Sequence, residues 1–147
     1  RALAAQRAAD EQAAAEAASR PTRVLVVDDS RVVRVKTGRL LAQHGFEVSD
    51  ASDGLEAERR LQADLPDLII TDVEMPGMDG FALTRSIRAA VRTAHIPVIM
   101  ITAADDRHRT DAAEAGVSAL LGKPYGDDAL IAQIRQLVPG AAPQRVA

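Results

Sequence analysis

The sequence predicts a doubly wound α/β domain, in which a parallel sheet of five strands is covered by five helices. Short apolar runs alternate with longer stretches of helical period along most of the 147 residues. Several of these runs are apolar throughout, as expected for strands that are covered on both faces of a parallel sheet. The length suits one domain with a sizeable core and is too short for two ordinary domains.

The first half of the chain contains three predicted strands and two predicted helices. An apolar strand at 23–27 is followed by a helix at 30–44, and Gly45 is a plausible C-cap for that helix. A weaker strand at 47–51 and a helix at 54–63 come next, before a third strand at 67–71. In the first helix we expect five apolar residues to lie mostly on one side: Val32, Val33, Val35, Leu40 and Leu41.

The second half continues the alternation after a loop rich in Pro and Gly. A third helix is predicted at 81–90, with Asp79 suited to cap its first turn. The remaining elements are a strand at 97–101, a helix at 106–115, a short strand at 118–121 and a helix at 127–137. At this size the natural strand order is the flavodoxin-like 2-1-3-4-5.

The two ends of the chain differ in composition from the predicted domain at 23–138. The Ala-rich start favours helix but offers little large apolar surface, so we expect residues 1–22 to form a linker or helical arm. Residues 139–147 hold two Pro, one Gly and no periodicity, which predicts a disordered tail. Because the first residue is Arg1 and not Met, we expect a piece of a longer polypeptide.

Composition excludes several classes of function. A formal net charge of -3, without a basic run joined to aromatic residues, argues against direct nucleic-acid binding. The chain shows neither an apolar stretch of membrane-spanning length nor a signal-peptide pattern, so we expect no membrane insertion and a cytoplasmic location. The absence of Cys excludes disulfides and thiolate chemistry. The aromatic fraction of 2% predicts an aliphatic core.

Polar residues stand where the predicted strands end. In an open parallel sheet, ligands bind outside the carboxyl ends of the strands, near the point where the strand order reverses. We therefore expect five polar side chains to converge on one edge of the sheet: Asp28, Asp29, Asp72, Thr102 and Lys123.

Three carboxylates in one place call for a cation. At about 4 Å and an effective dielectric near 20, each pair repels by roughly 4 kcal/mol, a large cost for a marginally stable fold. Mg²⁺ fits best, because it is a hard ion that takes one or two carboxylates and leaves positions for water and phosphate oxygens. Calcium-loop spacing is absent, and without Cys or clustered His there is no zinc site.

The same residues suit phosphoryl transfer. A carboxylate can act as a nucleophile toward a phosphoryl group and form an aspartyl phosphate. Lys123 would then be a point charge for a phosphate oxygen, and the Thr102 hydroxyl would donate a hydrogen bond to another. Taken singly, these residues would be read as a turn aspartate, a solvated lysine and a strand threonine.

Four sequence motifs resemble the response-regulator receiver domain of two-component signalling. They are V-L-V-V-D-D-S at 24–30, L-I-I-T-D-V-E-M-P-G-M-D-G at 68–80, V-I-M-I-T-A at 98–103 and G-K-P-Y at 122–125. The resemblance covers residues 23 to about 138. It implies that Asp72 is the phosphoacceptor and that Asp28, Asp29 and the backbone carbonyl of Glu74 bind Mg²⁺ with it.

The resemblance also implies roles around the phosphoryl group. Lys123 contacts it, Thr102 is the switch hydroxyl that moves toward it, and the small Ala103 leaves room for the donor. The Lys123 to Pro124 bond is expected to be cis. The sequence departs from the family at Leu120, where a Tyr or Phe is common, and Tyr125 lies on the other side of the lysine. Our hypothesis is a weaker signal, or one read through the fourth helix alone.

The expected partners follow from the same resemblance. A histidine kinase or a histidine phosphotransfer domain would donate the phosphoryl group, and a downstream protein would read the fourth helix, fifth strand and fifth helix. The chain would not turn over substrate by itself, and it is either a stand-alone regulator or the C-terminal receiver of a chemotaxis-type hybrid histidine kinase.

A Mg²⁺-dependent phosphatase with an aspartyl nucleophile is the alternative function, but those enzymes place two acids two residues apart after the first strand. His44, His95 and His108 are scattered, and we interpret them as surface residues.

Overall fold

The computed structural model describes residues 4–11, 20–103 and 109–138. Five parallel strands form one sheet in the order β2-β1-β3-β4-β5, which confirms the predicted fold class and strand order. The strands are β1 (Arg23–Val27), β2 (Glu47–Ala51), β3 (Leu68–Asp72), β4 (Val98–Ala103) and β5 (Ala119–Lys123). The helices are α1 (Arg31–Gln43), α2 (Gly54–Ala63), α3 (Gly80–Ala89), α4 (Arg109–Ala115) and α5 (Asp127–Leu137).

Most element boundaries agree with the prediction within two residues. Residues 4–11 are also helical, in the stretch where an arm was expected. The predicted start of the fourth helix at 106–108, the rest of the arm at 12–19 and the predicted tail at 139–147 lie outside the described residues. None of the described helices is both long and apolar enough to cross a membrane.

Alternate residues of each strand face opposite layers, because successive side chains point to opposite sides of a sheet. Val24 and Val26 pack on one side with residues of α1 and α5, such as Leu41 and Ile134. Leu25 and Val27 pack on the other side with residues of α2 and α3. A smaller cluster joins α3 and α4 beside the end of β4. The core is almost entirely aliphatic, as the composition predicted.

Helix α1 differs from the expected pattern. Val32 and Val35 are 77% and 42% exposed, so the prediction that they share the buried side of the helix was wrong. The buried positions Thr37 and Leu41 are spaced four residues apart and define the inward stripe. Val32 and Val35 project away from that stripe, because residues one or two positions off an i, i+4 row point in other directions.

Side-chain caps precede α1, α2 and α3. Ser30 accepts a hydrogen bond from the Val33 amide at the start of α1, and Asp53 caps α2 in the same way. Asp79 accepts from the Ala82 amide at 2.8 Å, which confirms its predicted role at the start of α3. Gly45 follows α1 with a φ of 85°, a left-handed conformation that suits a residue without a Cβ.

Gly80 brings α3 against the end of β3. A Cβ at this position would lie 2.2 Å from the Asp72 carbonyl oxygen, a distance that no side chain permits. The Gly80 amide donates to the Val73 carbonyl at 2.9 Å. Because Gly80 has no side chain, the helix can start directly beside the last residue of the strand.

Candidate functional site

Strand pairing places Asp28 and Asp72 side by side at the carboxyl edge of the sheet. Val27 is the register partner of Thr71, so the two aspartates that follow leave adjacent strands at the same level. β1 and β3 lie together at the point where the strand order reverses, since β1 is followed along the chain by the outer strand β2. The predicted site therefore lies at the topological switch point of the sheet.

Three carboxylates meet at this point. One oxygen from each of Asp28, Asp29 and Asp72 lies within 4.8 Å of the others. Small side-chain rotations would bring these oxygens to the separations found around one Mg²⁺, in which opposite ligands are about 4.2 Å apart. The donor set is all oxygen, which suits a hard divalent cation and gives no nitrogen or sulfur for zinc.

Asp28 is held by its own turn. Its carboxylate Oδ1 accepts a hydrogen bond from the Ser30 amide at 2.8 Å, and its amide donates to the Ala51 carbonyl at 3.1 Å. Its residue exposure is 5%, whereas Asp29 beside it is exposed. One acid of the pair is thus fixed in the protein, and the other faces solvent.

Asp72 contacts both the backbone and the predicted lysine. Its Oδ1 accepts from the Val73 amide at 2.8 Å. The Lys123 Nζ lies 3.7 Å from the same oxygen, within ion-pair range but beyond a direct hydrogen bond. The Asp72 side chain is 15% exposed and the Lys123 side chain 43%, so the pair opens to solvent on the lysine side.

Burial raises the pKa of both inner carboxyls. For Asp28, desolvation raises the pKa most, and the charges of Asp72 and Asp29 raise it further, although the Ser30 amide and Lys123 oppose them. For Asp72, desolvation again dominates, and Lys123 and the Val73 amide lower the pKa in part. The metal-free site is therefore under electrostatic strain that a bound cation would relieve.

A cavity of about 1010 Å³ lies next to the carboxylates. Six predicted site residues line it, together with residues of the loop that leads to α3: Asp29, Asp72, Glu74, Thr102, Ala103 and Lys123. Thr102 is 3% exposed, and its Oγ1 has no hydrogen-bond partner among the described residues. A buried hydroxyl in that condition is available as a donor to an oxygen bound in the cavity.

Leu120 lies beside a different cavity. This second space has a volume of about 820 Å³ and runs between β5 and α4, where Ala112 and Ala113 form part of its wall. Thr102 and Ala103 line both cavities. The threonine thus stands between the acidic site and the surface of α4 and β5.

The segment after β5 turns toward α1. The Lys123 to Pro124 peptide bond is cis, as expected. Burial raises the pKa of Tyr125, and a hydrogen bond with Thr37 of α1 acts in the opposite direction. Tyr125 therefore belongs to the α1 side of the site and not to the cavity that contains Leu120.

Two groups that shape the site were not predicted from the sequence. The Ser30 amide orients Asp28, and an Asp side chain often accepts a hydrogen bond from the amide two residues further along the chain. Arg34 donates to the Asp28 carbonyl at 2.6 Å, a contact that no local motif announces. His44 and His95 are exposed, and His108 lies outside the described residues.

Comparison with known proteins identifies related sequences. A family model for the response regulator receiver domain matches residues 24–135. The response regulator PleD of Caulobacter vibrioides is 46% identical over 117 residues, which are 78% of this chain and 26% of PleD. The chain therefore spans about a quarter of the length of that curated relative.

Two solved structures share the fold. The receiver domain of sensor histidine kinase PA1611 from Pseudomonas aeruginosa PAO1, which has a magnesium ion coordinated in its active site cleft, superposes with a TM-score of 0.76 at 28% identity. That comparison covers 82% of this chain and 99% of the other. Response regulator TrrA from Thermotoga maritima, in complex with Mg²⁺ and BeF, gives a TM-score of 0.72 at 29% identity over 80% of this chain and 99% of that one.

Proposed function

Because the chain belongs to the family of response regulator receiver domains, and so is a phosphoacceptor of two-component signalling, we propose that Asp72 takes the phosphoryl group. The observation that carries this proposal is the position of Asp72 between the other two acids and Lys123, on the wall of the cavity. Asp28 is less suited, since it is only 5% exposed. Asp29 is exposed, and no ion pair with Lys123 is described for it.

The reaction can be written for this site. A carboxylate oxygen of Asp72 attacks the phosphorus of a phosphohistidine, so that a phosphorus–oxygen bond forms and the phosphorus–nitrogen bond breaks. The ring leaves as neutral imidazole, because its other nitrogen has taken a proton from solvent before the bond breaks, and the product is an aspartyl phosphate. Positioning and charge neutralisation supply most of the rate in such transfers, which the arrangement of fixed groups around Asp72 provides.

Mg²⁺ is the cation that the donor set fits. Asp28, Asp29 and Asp72, with the backbone carbonyl of Glu74, would hold it. When bound, it would neutralise the charge of the phosphoryl oxygens. The magnesium ion in the receiver of PA1611 and the Mg²⁺ and BeF complex of TrrA support this assignment.

Lys123 and Thr102 would bind the transferred group from the chain itself. The Lys123 ammonium already lies 3.7 Å from the acceptor carboxylate and would pair with a phosphoryl oxygen. Thr102 would offer another oxygen its hydroxyl, for which the described part of the chain provides no hydrogen-bond partner. Ala103, the next residue, lines the cavity and, as a small residue, would leave space there for the donor.

The signal would pass from Thr102 toward the surface of α4, β5 and α5, where a downstream protein would bind. Thr102 lines the cavity beside Leu120 as well as the acidic one, which supports this route. With Leu120 in place of an aromatic ring, we expect the readout to run through α4 alone or to be weaker. We propose that this chain receives its phosphoryl group from a histidine kinase or a histidine phosphotransfer domain in the cytoplasm. It would act as a stand-alone regulator or as part of a hybrid kinase. We expect it neither to insert into a membrane nor to bind nucleic acid.

Labelling with a small phosphodonor tests the proposal. Wild type incubated with acetyl phosphate and Mg²⁺ should gain one phosphoryl group in intact-mass spectrometry, and Asp72→Asn should not. Asp10→Asn, which changes an exposed acid in the helical segment 4–11, is the matched control and should label like wild type. Equal labelling of Asp72→Asn would show that Asp72 is not the phosphoacceptor.

A Mg²⁺-dependent phosphatase is not favoured, because the two acids after β1 are adjacent and not two residues apart.

A further inference from the structure

Arg34 of α1 forms a hydrogen bond to the backbone of the turn that carries Asp28 and Asp29. Its Nη1 donates to the Asp28 carbonyl oxygen at 2.6 Å. Its Nε donates to Asp50 Oδ2 at 2.9 Å, which also forms an ion pair. The Arg34 side chain is 15% exposed and the Asp50 side chain 50%, so the guanidinium is largely shielded from solvent while the ion pair is open on the Asp50 side. The guanidinium thereby joins the end of β1 to the edge strand β2.

The contact fixes one particular peptide plane. The Asp28 carbonyl belongs to the peptide unit that leads into Asp29, and a peptide unit is rigid and planar. The Asp28 amide is held separately, because it donates to the Ala51 carbonyl at 3.1 Å. With its amide tied to Ala51 and its carbonyl tied to Arg34, Asp28 has little freedom to rotate the chain that carries the Asp29 carboxylate.

Arg34 holds the turn without neutralising it. Its charge is paired with Asp50 and directed at a backbone oxygen, not at a carboxylate of the site. The guanidinium therefore fixes the backbone between Asp28 and Asp29 without pairing with any of the three carboxylates.

We propose that Arg34, with Asp50 as its counterion, is a positioning residue that sets the affinity of the site for a divalent cation by fixing the peptide plane between Asp28 and Asp29. This inference rests on the proposed Mg²⁺ site. Partners that orient metal ligands in this way contribute about 10-fold to 100-fold to metal affinity in other proteins. A planar fork with two directed donors suits the task better than a lysine would.

A purely structural role predicts something different. If Arg34 only fastened α1 to β2, its loss would lower stability and leave the cation affinity unchanged. Arg88 provides the comparison, because its guanidinium donates to the backbone carbonyls of Gly116, Ala94 and Ile96. These contacts involve residues of the α3 to β4 and α4 to β5 connections, away from the three carboxylates.

The test measures Mg²⁺ affinity and metal-free stability together. Isothermal titration calorimetry gives the Kd for Mg²⁺, and thermal unfolding in a chelator gives the Tm, for wild type, Arg34→Met, Arg34→Lys, Asp50→Asn and Arg88→Met. Arg34→Met should raise the Kd by about 10-fold or more, with a partial effect for Arg34→Lys. Asp50→Asn should act in the same direction, and combining it with Arg34→Met should add little, because the two side chains work as one unit. Arg88→Met should lower the Tm and leave the Kd within about twofold of wild type.

The outcomes separate this inference from the proposed function. A wild-type Kd in both Arg34→Met and Asp50→Asn would overturn the inference while leaving the Mg²⁺ site intact. An equal loss of affinity in Arg88→Met would also overturn it, since general loosening would then explain the effect. A wild-type protein that binds no Mg²⁺ would instead reject the site itself. If Arg34→Met fails to fold, Asp50→Asn alone decides the question.

Discussion

The Lys123 Nζ lies 3.7 Å from Asp72 Oδ1, and this pair joins the last residues of two strands that flank β4. Lys123 thus faces a carboxylate that also lies close to Asp28 and Asp29, which follow the neighbouring strand β1. Lys123 lowers the pKa of Asp72 but does not overcome the larger effect of burial, which raises it. Lys123 alone therefore does not compensate the negative charge of the three carboxylates, and a bound divalent ion would offset it.

Replacing Lys123 by Gln should slow phosphorylation and spare cation binding. The ammonium would pair with the phosphoryl oxygens during transfer, and losing one such directed donor costs a rate factor of about 10² in comparable sites. Labelling rates with acetyl phosphate at saturating Mg²⁺ measure the effect. The other lysine of the chain, Lys36, is exposed on α1 and serves as the control through Lys36→Gln. Equal rates for both variants would remove Lys123 from the mechanism.

Thr102→Val should leave the metal-free domain as stable as wild type or more stable. The buried Oγ1 has no partner among the described residues, so removing it relieves the cost of an unsatisfied polar group, about 1 kcal/mol. Thr84→Val is the control, because the buried Thr84 hydroxyl donates to the Gly80 carbonyl at 2.8 Å and its loss should destabilise by about 1 kcal/mol. Urea denaturation of the two variants gives both values.

The same Thr102→Val variant should bind BeF with Mg²⁺ more weakly than wild type, since the hydroxyl is proposed to contact the phosphoryl oxygens. A stability loss in Thr102→Val equal to that of Thr84→Val would mean that the Thr102 hydroxyl is satisfied in the free protein. The proposal that this hydroxyl becomes a hydrogen-bond donor only when a phosphoryl oxygen binds would then be wrong.

Gly80→Ala should lower the stability of the domain and slow the phosphorylation of Asp72. A Cβ would lie 2.2 Å from the Asp72 carbonyl oxygen, so either α3 or the acceptor strand must move. We expect a loss of roughly 1 to 3 kcal/mol of stability and slower labelling of Asp72. Gly126→Ala is the control, because a Cβ there meets nothing within 4 Å. Denaturation curves and labelling rates of the two variants should differ clearly, and matching behaviour would refute the close approach.

The raised pKa values of Asp28 and Asp72 lead us to expect that the stability of the metal-free protein depends on pH. Their pKa values in the folded protein lie above the ordinary value of 3.8, so the folded state holds these protons more tightly than the unfolded state does. Stability from this source is fully present below the ordinary pKa and is lost as the pH rises through the raised pKa. The metal-free protein should therefore gain stability from Asp28 and Asp72 on mild acidification.

The comparison with Asp28→Asn/Asp72→Asn isolates this contribution, because the other acids cancel. The double variant should exceed wild type in Tm at neutral pH, and the gap should shrink as the pH falls toward 4. Saturating Mg²⁺ should reduce the gap at neutral pH, since the ion binds the ionised form. A gap that stays constant from neutral to acidic pH would show that burial does not raise these pKa values.

The elements and the candidate site residues could be predicted because their signals are local. The apolar runs of β1 and β3 and the predicted cap at Asp79 depend on neighbouring residues alone. The acids after β1 and β3 could be placed together because parallel strands align their carboxyl ends. The proximity of Asp28, Asp29 and Asp72 is the geometric outcome of that rule.

What the sequence could not supply depends on tertiary contacts. Arg34 looks like any surface residue of an amphipathic helix until β2 brings Asp50 beside it. Val32 and Val35 were misplaced because apolar character alone does not define the phase of a helix, which here follows Thr37 and Leu41. The closeness of Gly80 to Asp72 likewise appears only when α3 is packed on β3.

Mapping the phosphorylated residue tests the central claim most directly. Wild type is treated with acetyl phosphate in Mg²⁺ or in chelator, reduced with borohydride to trap any aspartyl phosphate, digested and sequenced by mass spectrometry. We predict that modification occurs at Asp72, only when Mg²⁺ is present, and that it is lost in Asp29→Asn at low Mg²⁺. Modification at Asp28 or Asp29, or at Asp72 to the same extent in chelator, would contradict the claim that these carboxylates hold an ion so that Asp72 can be phosphorylated.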